Sequence, residues 1–303
     1  MTDYKTYKKQ LNELGTKKTP FLFVIDFEVE NFFITPFTKL QPDILFSVDN
    51  FTNINQSYQN YQSTIKKIPI NLARYKLAFE HVIQEMKVGN TYMLNLTFPT
   101  LIETNISLLE IFLSSKAPFK LYFQDKFITF SPERFIKIED NLIKTYPMKG
   151  TIDALLPNAK EKLLTNEKEQ AEHNMVVDLL RNDLSIVAKK VKVNKFRYIN
   201  QVTAGYKTLL QVSSEISGIL EPNWHQRIGD ILLSLLPAGS ISGTPKKKTL
   251  EIIKTVESCQ RGFFTGIFGY FDGNRLDSAV MIRFIEKVDG QLIYKSGGGI
   301  TVD

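Results

Sequence analysis

The densest apolar run in the chain lies near its N-terminus. Residues 20–27 read Pro-Phe-Leu-Phe-Val-Ile-Asp-Phe. A short run so rich in aromatic and β-branched residues, opened by a proline, predicts a buried strand. By the same criteria, further strands are expected at residues 92–98, 119–130, 135–145, 204–218, 263–272, 278–288 and 291–295.

Helical periodicity marks two longer segments. Residues 166–190 predict the longest helix, because Asn166 is a good N-cap and Glu169 stands three residues after it. Residues 68–87 predict a helix whose apolar stripe is formed by Leu72, Tyr75, Phe79, Val82 and Met86, with Ala78 beside it. Two shorter helices are predicted at residues 107–114 and 247–259.

The order of these elements indicates the fold class. Strands come in pairs that a few helices interrupt, which is typical of an α+β protein with largely antiparallel sheets. The alternation is too irregular for a doubly wound parallel sheet. No solenoid-type repeat, low-complexity stretch or linker rich in Pro, Gly or Ser divides the sequence. We therefore expect one domain over residues 1–303.

Composition narrows the class of protein. The chain has 303 residues and a formal charge of +6, which suits a small anionic substrate. Its lysines are scattered rather than gathered on one element, which argues against a nucleic-acid partner. A single cysteine, Cys259, excludes an internal disulfide and fits a reducing compartment. The apolar runs are far shorter than the ~20 residues that span a bilayer, and residues 1–10 show no secretory signal, so we expect a cytoplasmic protein with no membrane partner.

Glycine is distributed unevenly along the sequence. Of 16 glycines, only Gly15 and Gly89 precede Gly150, and ten lie from Gly239 onward. Glycine lets the backbone approach another group closely and adopt left-handed conformations. The second half of the chain is therefore expected to use its backbone in ways that the first half does not.

The first candidate motif pairs Glu133 with Lys149. Glu133 follows Pro132 at a predicted strand boundary, where a loop can present its carboxyl group. Lys149 precedes Gly150, so the backbone there can approach a ligand. A lysine shielded from water has a lowered pKa and exposes a nucleophilic amine. The alternative is a simple ion pair between the two side chains.

The second motif is a pair of carboxylates on the longest predicted helix. Glu169 and Glu172 are three residues apart and therefore share a helix face. A cation would relieve their repulsion, and oxygen ligands of this kind suit Mg²⁺. The alternative is a solvated acidic face. His173 is not expected to ligate a metal, because no second histidine stands at helical ligand spacing.

Two further stretches suggest anion binding. Residues 236–246 place Gly, Ser and Thr before a predicted helix, where N–H groups and hydroxyls would form a cradle; the alternative is an ordinary turn. Arg283 is flanked by apolar residues in a predicted strand, and a buried arginine needs a partner such as a substrate carboxylate. Residues 297–299 are glycines that would expose N–H donors; the alternative is a disordered tail.

Together these stretches resemble the chorismate-utilising enzyme family over residues 68–303, and more faintly over residues 21–55. They occur in the family's order and at its spacing. The resemblance implies a sandwich of two large antiparallel sheets, with helices on the outside and the site between the sheets. It also implies a family-variable part at residues 1–65 and a catalytic core at residues 66–303.

Two positions favour the aminodeoxychorismate synthase branch of this family. Residues 147–151 read Pro-Met-Lys-Gly-Thr, as in that branch, whereas anthranilate and isochorismate synthases generally have alanine in place of Lys149. Met93 stands where isochorismate- and salicylate-forming members have a lysine that activates water. The resemblance therefore disfavours the water-adding branch.

The resemblance also implies a reaction and a set of site residues. Lys149 attacks C2 of chorismate while Glu133 protonates the departing 4-hydroxyl, and ammonia from a glutamine amidotransferase subunit then adds at C4. The product is 4-amino-4-deoxychorismate, on the way to para-aminobenzoate and folate. Mg²⁺, held by Glu172 with help from Glu169, binds the ring carboxylate. The other chorismate contacts are assigned to Gly150, Thr151, Ser240, Arg283, Gly297 and Gly299.

Three features depart from the family pattern. Gln211 stands where many members have a histidine associated with pyruvate elimination, and Phe264 replaces a usual tyrosine. The sequence stops at Asp303, where the family continues into a serine and a helix with a second Mg²⁺-binding glutamate and a lysine. From this we expect the 303-residue protein to bind Mg²⁺ and substrate poorly. The alternative activities are anthranilate synthase component I and a non-catalytic anion-binding homologue.

Overall fold

The computed structural model describes residues 4–56, 61–204, 207–257 and 259–302. Short 3-10 turns lie at Phe37–Lys39 and Trp224–Arg227. The α-helices in this part of the chain are α1 Tyr4–Thr16, α2 Leu72–Lys87, α3 Leu108–Leu113, α4 Ala159–Thr165, α5 Glu167–Val187, α6 Ile228–Leu235, α7 Gly239–Ser242 and α8 Lys246–Val256.

The strands are short except for those that flank the candidate motifs. In chain order they are β1 Phe21–Ile25, β2 Phe32–Pro36, β3 Ile44–Val48, β4 Phe51–Thr52, β5 Ile65–Pro69, β6 Met93–Thr104, β7 Phe119–Phe123, β8 Phe127–Ser131, β9 Arg134–Glu139, β10 Leu142–Thr145, β11 Met148–Asp153, β12 Lys189–Ala204, β13 Lys207–Ile219, β14 Gly243–Thr244, β15 Ile267–Phe271, β16 Leu276–Val280, β17 Phe284–Val288 and β18 Gln291–Ile300.

These strands form two large antiparallel sheets. The first sheet has the order β11-β13-β10-β9-β16-β15-β1-β2, and β12 pairs with β13. The second sheet has the order β14-β6-β18-β17-β8-β7-β3-β4, and β5 also pairs with β6. The predicted α+β class with two antiparallel sheets and helices is confirmed.

The strand β1 shows how the layers are stacked. Phe21, Phe23 and Ile25 join a buried cluster that includes side chains of α5 and α6. The alternating residues Leu22 and Val24 join a second cluster, with side chains of β3, β7 and β17 from the other sheet. A strand covered on both faces has no polar face, which is why the run in residues 20–27 is continuously apolar.

The outer face of the second sheet is covered by the remaining helices. Helices α2 and α8 pack on β6 and β18 through one buried cluster, and α3 packs on β7 and β8 through another. Residues before 66 contribute β1 and β2 to the first sheet and β3 and β4 to the second. The predicted division of the chain at residue 65 stays a prediction.

The structure corrects the predicted apolar stripe of α2. Helix α2 begins after the N-cap Asn71, and Ala78, Val82 and Met86 are buried as expected. Leu72, Tyr75 and Phe79, however, are 65%, 40% and 36% exposed, so the first half of the predicted stripe is only partly covered. The spacing of apolar residues identified the helix, but it did not show how much of the apolar stripe packs against the rest of the protein.

Several elements were not predicted, among them α1, α4, α6, β2, β3, β5 and β12. Three predicted strands each divide into two: residues 119–130 into β7 and β8, residues 135–145 into β9 and β10, and residues 278–288 into β16 and β17. Helix α1 is polar and lysine-rich and is anchored by the buried Leu11. Strand β12 is largely exposed and, among the described strands, pairs only with β13, and its first two residues, Lys189 and Lys190, lie in the segment predicted as the end of the longest helix. The two halves of residues 278–288 lie in different sheets, β16 in the first and β17 in the second. Among the residues that the structure describes, no helix is both long and apolar enough to cross a membrane.

Candidate active site

The two sheets approach one another where β11 faces β18. Lys149 lies in β11 of the first sheet, and Gly299 lies in β18 of the second. The Nζ atom of Lys149 is 3.4 Å from the point that a Cβ on Gly299 would occupy. The lysine amine therefore lies within van der Waals contact distance of that point, on the face of β18 that Gly299 leaves without a side chain.

A β-bulge presents Lys149. Met148 is opposite Ser213 and Thr151 is opposite Gln211, so Lys149 and Gly150 together face a single residue of β13. Gly150 has a φ of 83°, a conformation that favours glycine. The predicted role of Gly150 as a point of close backbone approach thus has a structural reason, which is the bulge.

Glu133 lies where the chain passes from the second sheet to the first. It follows β8 and precedes β9, and its N–H donates to Ser131 Oγ at 3.1 Å. Its carboxylate accepts a short hydrogen bond from Ser240 Oγ. Burial raises the pKa of the Glu133 carboxyl, while the Ser240 bond and the positive charge of Lys149 act to lower it. A carboxyl group with a raised pKa is suited to act as a general acid.

The alternative of a Glu133–Lys149 ion pair is wrong. No carboxylate oxygen of the described residues lies within 4.0 Å of the Lys149 amine. The two groups nevertheless share one site, since the charge of Lys149 affects the pKa of Glu133. The Lys149 amine is therefore left available to a ligand, while one carboxylate oxygen of Glu133 accepts a hydrogen bond from Ser240.

Ser240 reaches Glu133 because its loop is held on α5. Gly239 opens the single-turn helix α7, and a Cβ there would lie 2.8 Å from Asp183 Oδ2. Lys246 donates to both carboxylate oxygens of Asp183 at 3.0 Å and to the Leu235 carbonyl at 3.2 Å. The predicted cradle is thus built differently: its lysine is bound by Asp183, and Ser240 is bound by Glu133.

The glycines of β18 are ordered in the second sheet. Gly297 is opposite Thr97, and Gly299 is opposite Asn95 of β6. On the other side of β18, pairing with β17 ends at Phe284 and Lys295, so beyond Lys295 no described strand pairs with that edge. The alternative of a disordered tail is wrong, and the glycine segment offers an open strand edge beside Lys149.

Arg283 is placed differently from the prediction. It lies in an exposed bend with a φ of 53°, between β16 of the first sheet and β17 of the second, and not in a buried strand. The apolar neighbours that suggested a strand, Met281 and Ile282, pack into the core as the chain changes sheets. Its carbonyl accepts from the Phe130 N–H at 3.3 Å, beside the crossing that carries Glu133. An exposed guanidinium with no ion pair among the described residues is available to a carboxylate.

Thr151 follows Lys149 by two residues in β11. It is exposed in β11, directly opposite the half-buried Gln211 of β13. Gln211, noted in the sequence only as a departure from the family pattern, is therefore a near neighbour of the proposed substrate contacts.

Glu169 and Glu172 are half-buried on the face of α5 that turns toward β11. The Glu169 Oε2 atom is 3.2 Å from the position of a Cβ on Gly150. No hydrogen bond or ion pair within the described part of the chain engages either carboxylate. No group of three or more His, Cys, Asp or Glu residues there forms a complete metal site. Two unpartnered carboxylates fit Mg²⁺, which is usually held by one or two carboxylates together with substrate oxygens.

His173 is a site neighbour that the sequence did not single out for a role. It is fully buried on α5, and its Nε2 lies 2.7 Å from Ser214 Oγ. Burial, followed by the charge of Arg197, lowers the pKa of His173 to about 4. The available signal was its position one helical turn after Glu169.

Arg261 is a structural residue rather than a ligand. It is 2% exposed and forms two hydrogen bonds with Glu257, one to each carboxylate oxygen, at 2.9 and 2.6 Å. It also donates to the carbonyls of Ile241 and Asn95, which join α7 to β6. The ion pair between Arg261 and Glu257 therefore holds the loop that carries Ser240 against the second sheet.

Comparison with known proteins identifies relatives of this site and fold. The family described as chorismate binding enzyme matches residues 47–303. An uncharacterised PabA-like protein of Haemophilus influenzae is 51% identical over 97% of this chain and 90% of its own length.

Two relatives with named activities are more distant. Aminodeoxychorismate synthase component 1 of Bacillus subtilis is 31% identical over 76% of this chain and 51% of its own length. Anthranilate synthase component 1 of Archaeoglobus fulgidus is 33% identical over 74% of this chain and 57% of its own length. The chain spans about half the length of these two synthases.

A solved structure shares the fold across nearly the whole chain. The menaquinone-specific isochorismate synthase of Escherichia coli superposes with a TM-score of 0.72 at 14% identity, covering 98% of this chain and 76% of that one. The resemblance noted in the sequence is confirmed by the family match and by the fold.

Proposed function

Because the chain belongs to the chorismate-binding enzyme family, we propose that it is an aminodeoxychorismate synthase component I. It would convert chorismate and ammonia to 4-amino-4-deoxychorismate and water, in the cytoplasm and toward para-aminobenzoate and folate. The observation that carries the proposal is the Lys149 amine, which is free of ion pairs and faces Gly299 next to the enclosed Glu133.

The proposed reaction has two steps at the same face of the substrate ring. The neutral amine of Lys149 forms a bond to C2 of chorismate, both ring double bonds shift toward C4, and the bond from C4 to its hydroxyl breaks. Glu133 gives its proton to the departing hydroxyl, which leaves as water. Ammonia then forms a bond to C4, both double bonds shift back, the bond from C2 to Lys149 breaks, and Glu133 recovers a proton from the new amine.

The carboxylates of chorismate need cationic and N–H partners. We assign them to the guanidinium of Arg283, the hydroxyl of Thr151 and the open strand edge at Gly297 and Gly299. Fixed donors of this kind orient the substrate without reorganisation during the reaction.

The unpartnered carboxylates Glu169 and Glu172 would hold Mg²⁺ beside Gly150. When bound, the ion would supply positive charge for the ring carboxylate of the substrate. The contribution of the protein is to place both carboxylates on one face of α5, which its N-cap Asn166 anchors through a 3.0 Å bond to the Glu169 N–H.

Ammonia is proposed to come from a separate glutamine amidotransferase subunit. The two sheets and their helices hold the site proposed for chorismate, and we propose that glutamine hydrolysis takes place on the partner.

Product analysis tests the proposal. Because weak binding of Mg²⁺ and substrate is expected, chorismate, ammonium and Mg²⁺ are supplied at high concentration and should yield 4-amino-4-deoxychorismate without pyruvate, as read by mass spectrometry with and without a downstream lyase. The variant Lys149→Ala should lower turnover by ~10³-fold or more, since it removes the nucleophile. Lys160→Ala, on the exposed face of α4, is the matched control and should keep full activity.

Anthranilate synthase is the second candidate, favoured by the 33% identity to the Archaeoglobus fulgidus enzyme. Pyruvate release and anthranilate formation would establish it in place of our proposal. No consumption of chorismate, even with ammonium, Mg²⁺ and an amidotransferase subunit, would instead identify a non-catalytic anion-binding homologue.

A further inference from the structure

A buried histidine lies on α5 where this helix packs against β11, the strand that carries Lys149. The proposed mechanism does not use it. His173 has no exposed surface, and its Nδ1 atom has no hydrogen-bond partner. Within the described residues, Arg197 Nε is the only other buried side-chain nitrogen or oxygen in this condition. An unpaired buried polar atom is costly, so its presence next to a candidate site calls for a physical reason.

The surroundings of Ser214 determine which ring nitrogen carries the proton. Ser214 Oγ accepts a hydrogen bond from the Arg197 N–H at 3.0 Å. Its single hydroxyl proton then needs an acceptor, and the one available in the described structure is His173 Nε2 at 2.7 Å. Because Nε2 accepts, the proton of the imidazole resides on Nδ1, which is the unpaired atom.

Helix α5 packs against β11, which places the His173 ring beside the main chain of the bulge. An interaction with the backbone of Lys149 acts to raise the pKa of His173 against the larger lowering by burial, and Nδ1 itself has no hydrogen-bond partner. The Ser214 N–H also donates to the carbonyl of Pro147 at 3.0 Å, two residues before Lys149. Ser214 therefore ties both the histidine and the bulged strand to β13.

We propose that His173 is a positioning residue for Lys149, whose Nδ1–H closes onto the Lys149 carbonyl and orients the bulge so that the amine points toward Gly299. Hydrogen bonds at catalytic sites are often long without substrate and tighten in the complex. The inference rests on the proposed function only where Lys149 is treated as the nucleophile.

Two amide variants separate positioning from structural support. In His173→Asn the side-chain N–H replaces Nδ1–H, whereas in His173→Gln the amide reaches the place of Nε2 and the contact with Ser214. We expect His173→Asn to keep kcat within a few-fold of the parent protein. His173→Gln should lower kcat by ~10-fold or more with little change in KM, because a misplaced nucleophile is costly.

The opposite ranking would overturn the proposal. If the histidine served only to support the fold through Ser214, His173→Gln would be the more active variant, or both would lose activity in proportion to lost thermal stability. Comparing kcat, KM and melting temperature for both variants distinguishes these outcomes.

A second measurement does not require chorismate activity. The chain has three histidines, so ¹⁵N-histidine NMR gives a simple spectrum, in which the signals missing from His173→Asn identify residue 173. We expect a neutral ring protonated on Nδ1 and not on Nε2. Ser214→Ala should abolish this preference while the signals of His81 and His225 stay unchanged. Protonation on Nε2 would refute the inference even in an active enzyme, and protonation on Nδ1 in an inactive one would count against the proposed function alone.

Discussion

The two strands that meet at the candidate site use glycine differently. In β11, Gly150 adopts a φ of 83°, and a Cβ there would lie 3.2 Å from Glu169 Oε2 and from a methyl carbon of Leu163. In β18, Gly298 sits in a continuous ladder with β6, and nothing lies within 4 Å of its Cβ position. The conformation and close contacts of β11 therefore require glycine at position 150, whereas the surroundings of position 298 leave room for a side chain.

This difference separates two tasks. The bulge in β11 aims a reactive side chain, and the crossing before β9 supplies the carboxyl group of Glu133. The glycine segment of β18 contributes an unobstructed backbone edge beside them. Substitutions on the first side should therefore change chemistry or folding, whereas Gly298 on the second side should accept a small side chain.

The largest effect is expected at Glu133. Glu133→Gln keeps the size of the side chain and an acceptor for Ser240, but it removes the acid that protonates the leaving group. Turnover should fall by about 10²–10⁴-fold with the fold intact. Steady-state kinetics with Glu161→Gln as the exposed-glutamate control tests this, and an unchanged kcat would remove Glu133 from the mechanism.

Gly150→Ala tests whether the bulge needs its glycine. A left-handed alanine costs ~1–2 kcal/mol in the free energy of unfolding, and the crowding of Glu169 adds to this. Gly89→Ala is the matched control, because Gly89 has a φ of 80° with nothing within 4 Å of its Cβ position. Denaturant unfolding should show a larger loss for Gly150→Ala, which should also lose activity. Equal losses of unfolding free energy in the two variants would mean that crowding of the new methyl group by Glu169 and Leu163 does not affect stability.

Glu172→Gln sharpens the metal assignment on the same side of the site. Loss of one negative oxygen ligand should raise the Mg²⁺ concentration needed for half-maximal activity by ~10-fold. Asp178→Asn, on an exposed face of the same helix and paired with Arg181, should leave the Mg²⁺ dependence unchanged. A similar Mg²⁺ dependence for both variants would argue against the assignment.

Ser240→Ala should shift the pH dependence rather than abolish activity. The Ser240 bond favours the ionised Glu133 and lowers its pKa against the effect of burial. Without that bond the pKa rises, so the protonated acid persists to higher pH and the alkaline limb of kcat/KM moves upward. A pH–rate profile that moves downward would contradict this account.

The smallest effect on the fold is expected at Gly298. Gly298→Ala places a methyl group in open space in an extended strand, so the free energy of unfolding should change by less than ~0.5 kcal/mol. Successive residues of a strand point to opposite faces, so this methyl group lies on the face of β18 away from Gly299 and Lys149, and kcat and KM for chorismate should stay close to those of the parent protein. Destabilisation as large as that of Gly150→Ala would erase the distinction between the two strands.

Local sequence patterns were sufficient to predict elements whose burial or capping depends on neighbouring residues of the chain. The apolar run at β1 predicts a strand buried on both faces, and Asn166 with Glu169 predicts the start of α5, which the 3.0 Å cap bond confirms. The exposed Leu72 and the split of residues 278–288 were not predictable in this way. Apolar spacing does not reveal how far a neighbour extends or where a chain changes sheets.

The sequence by itself determined the class of fold, the main strands and helices, and the residue types that suit an anionic ring substrate. Only the tertiary structure decided that Ser240 bonds Glu133 across 107 positions, that Lys149 avoids an ion pair, and that His173 stands behind the bulge. These contacts join different elements, and their geometry depends on the packing of two sheets against α5. Local propensity acts over a few residues, whereas the site is assembled from segments that only packing brings together.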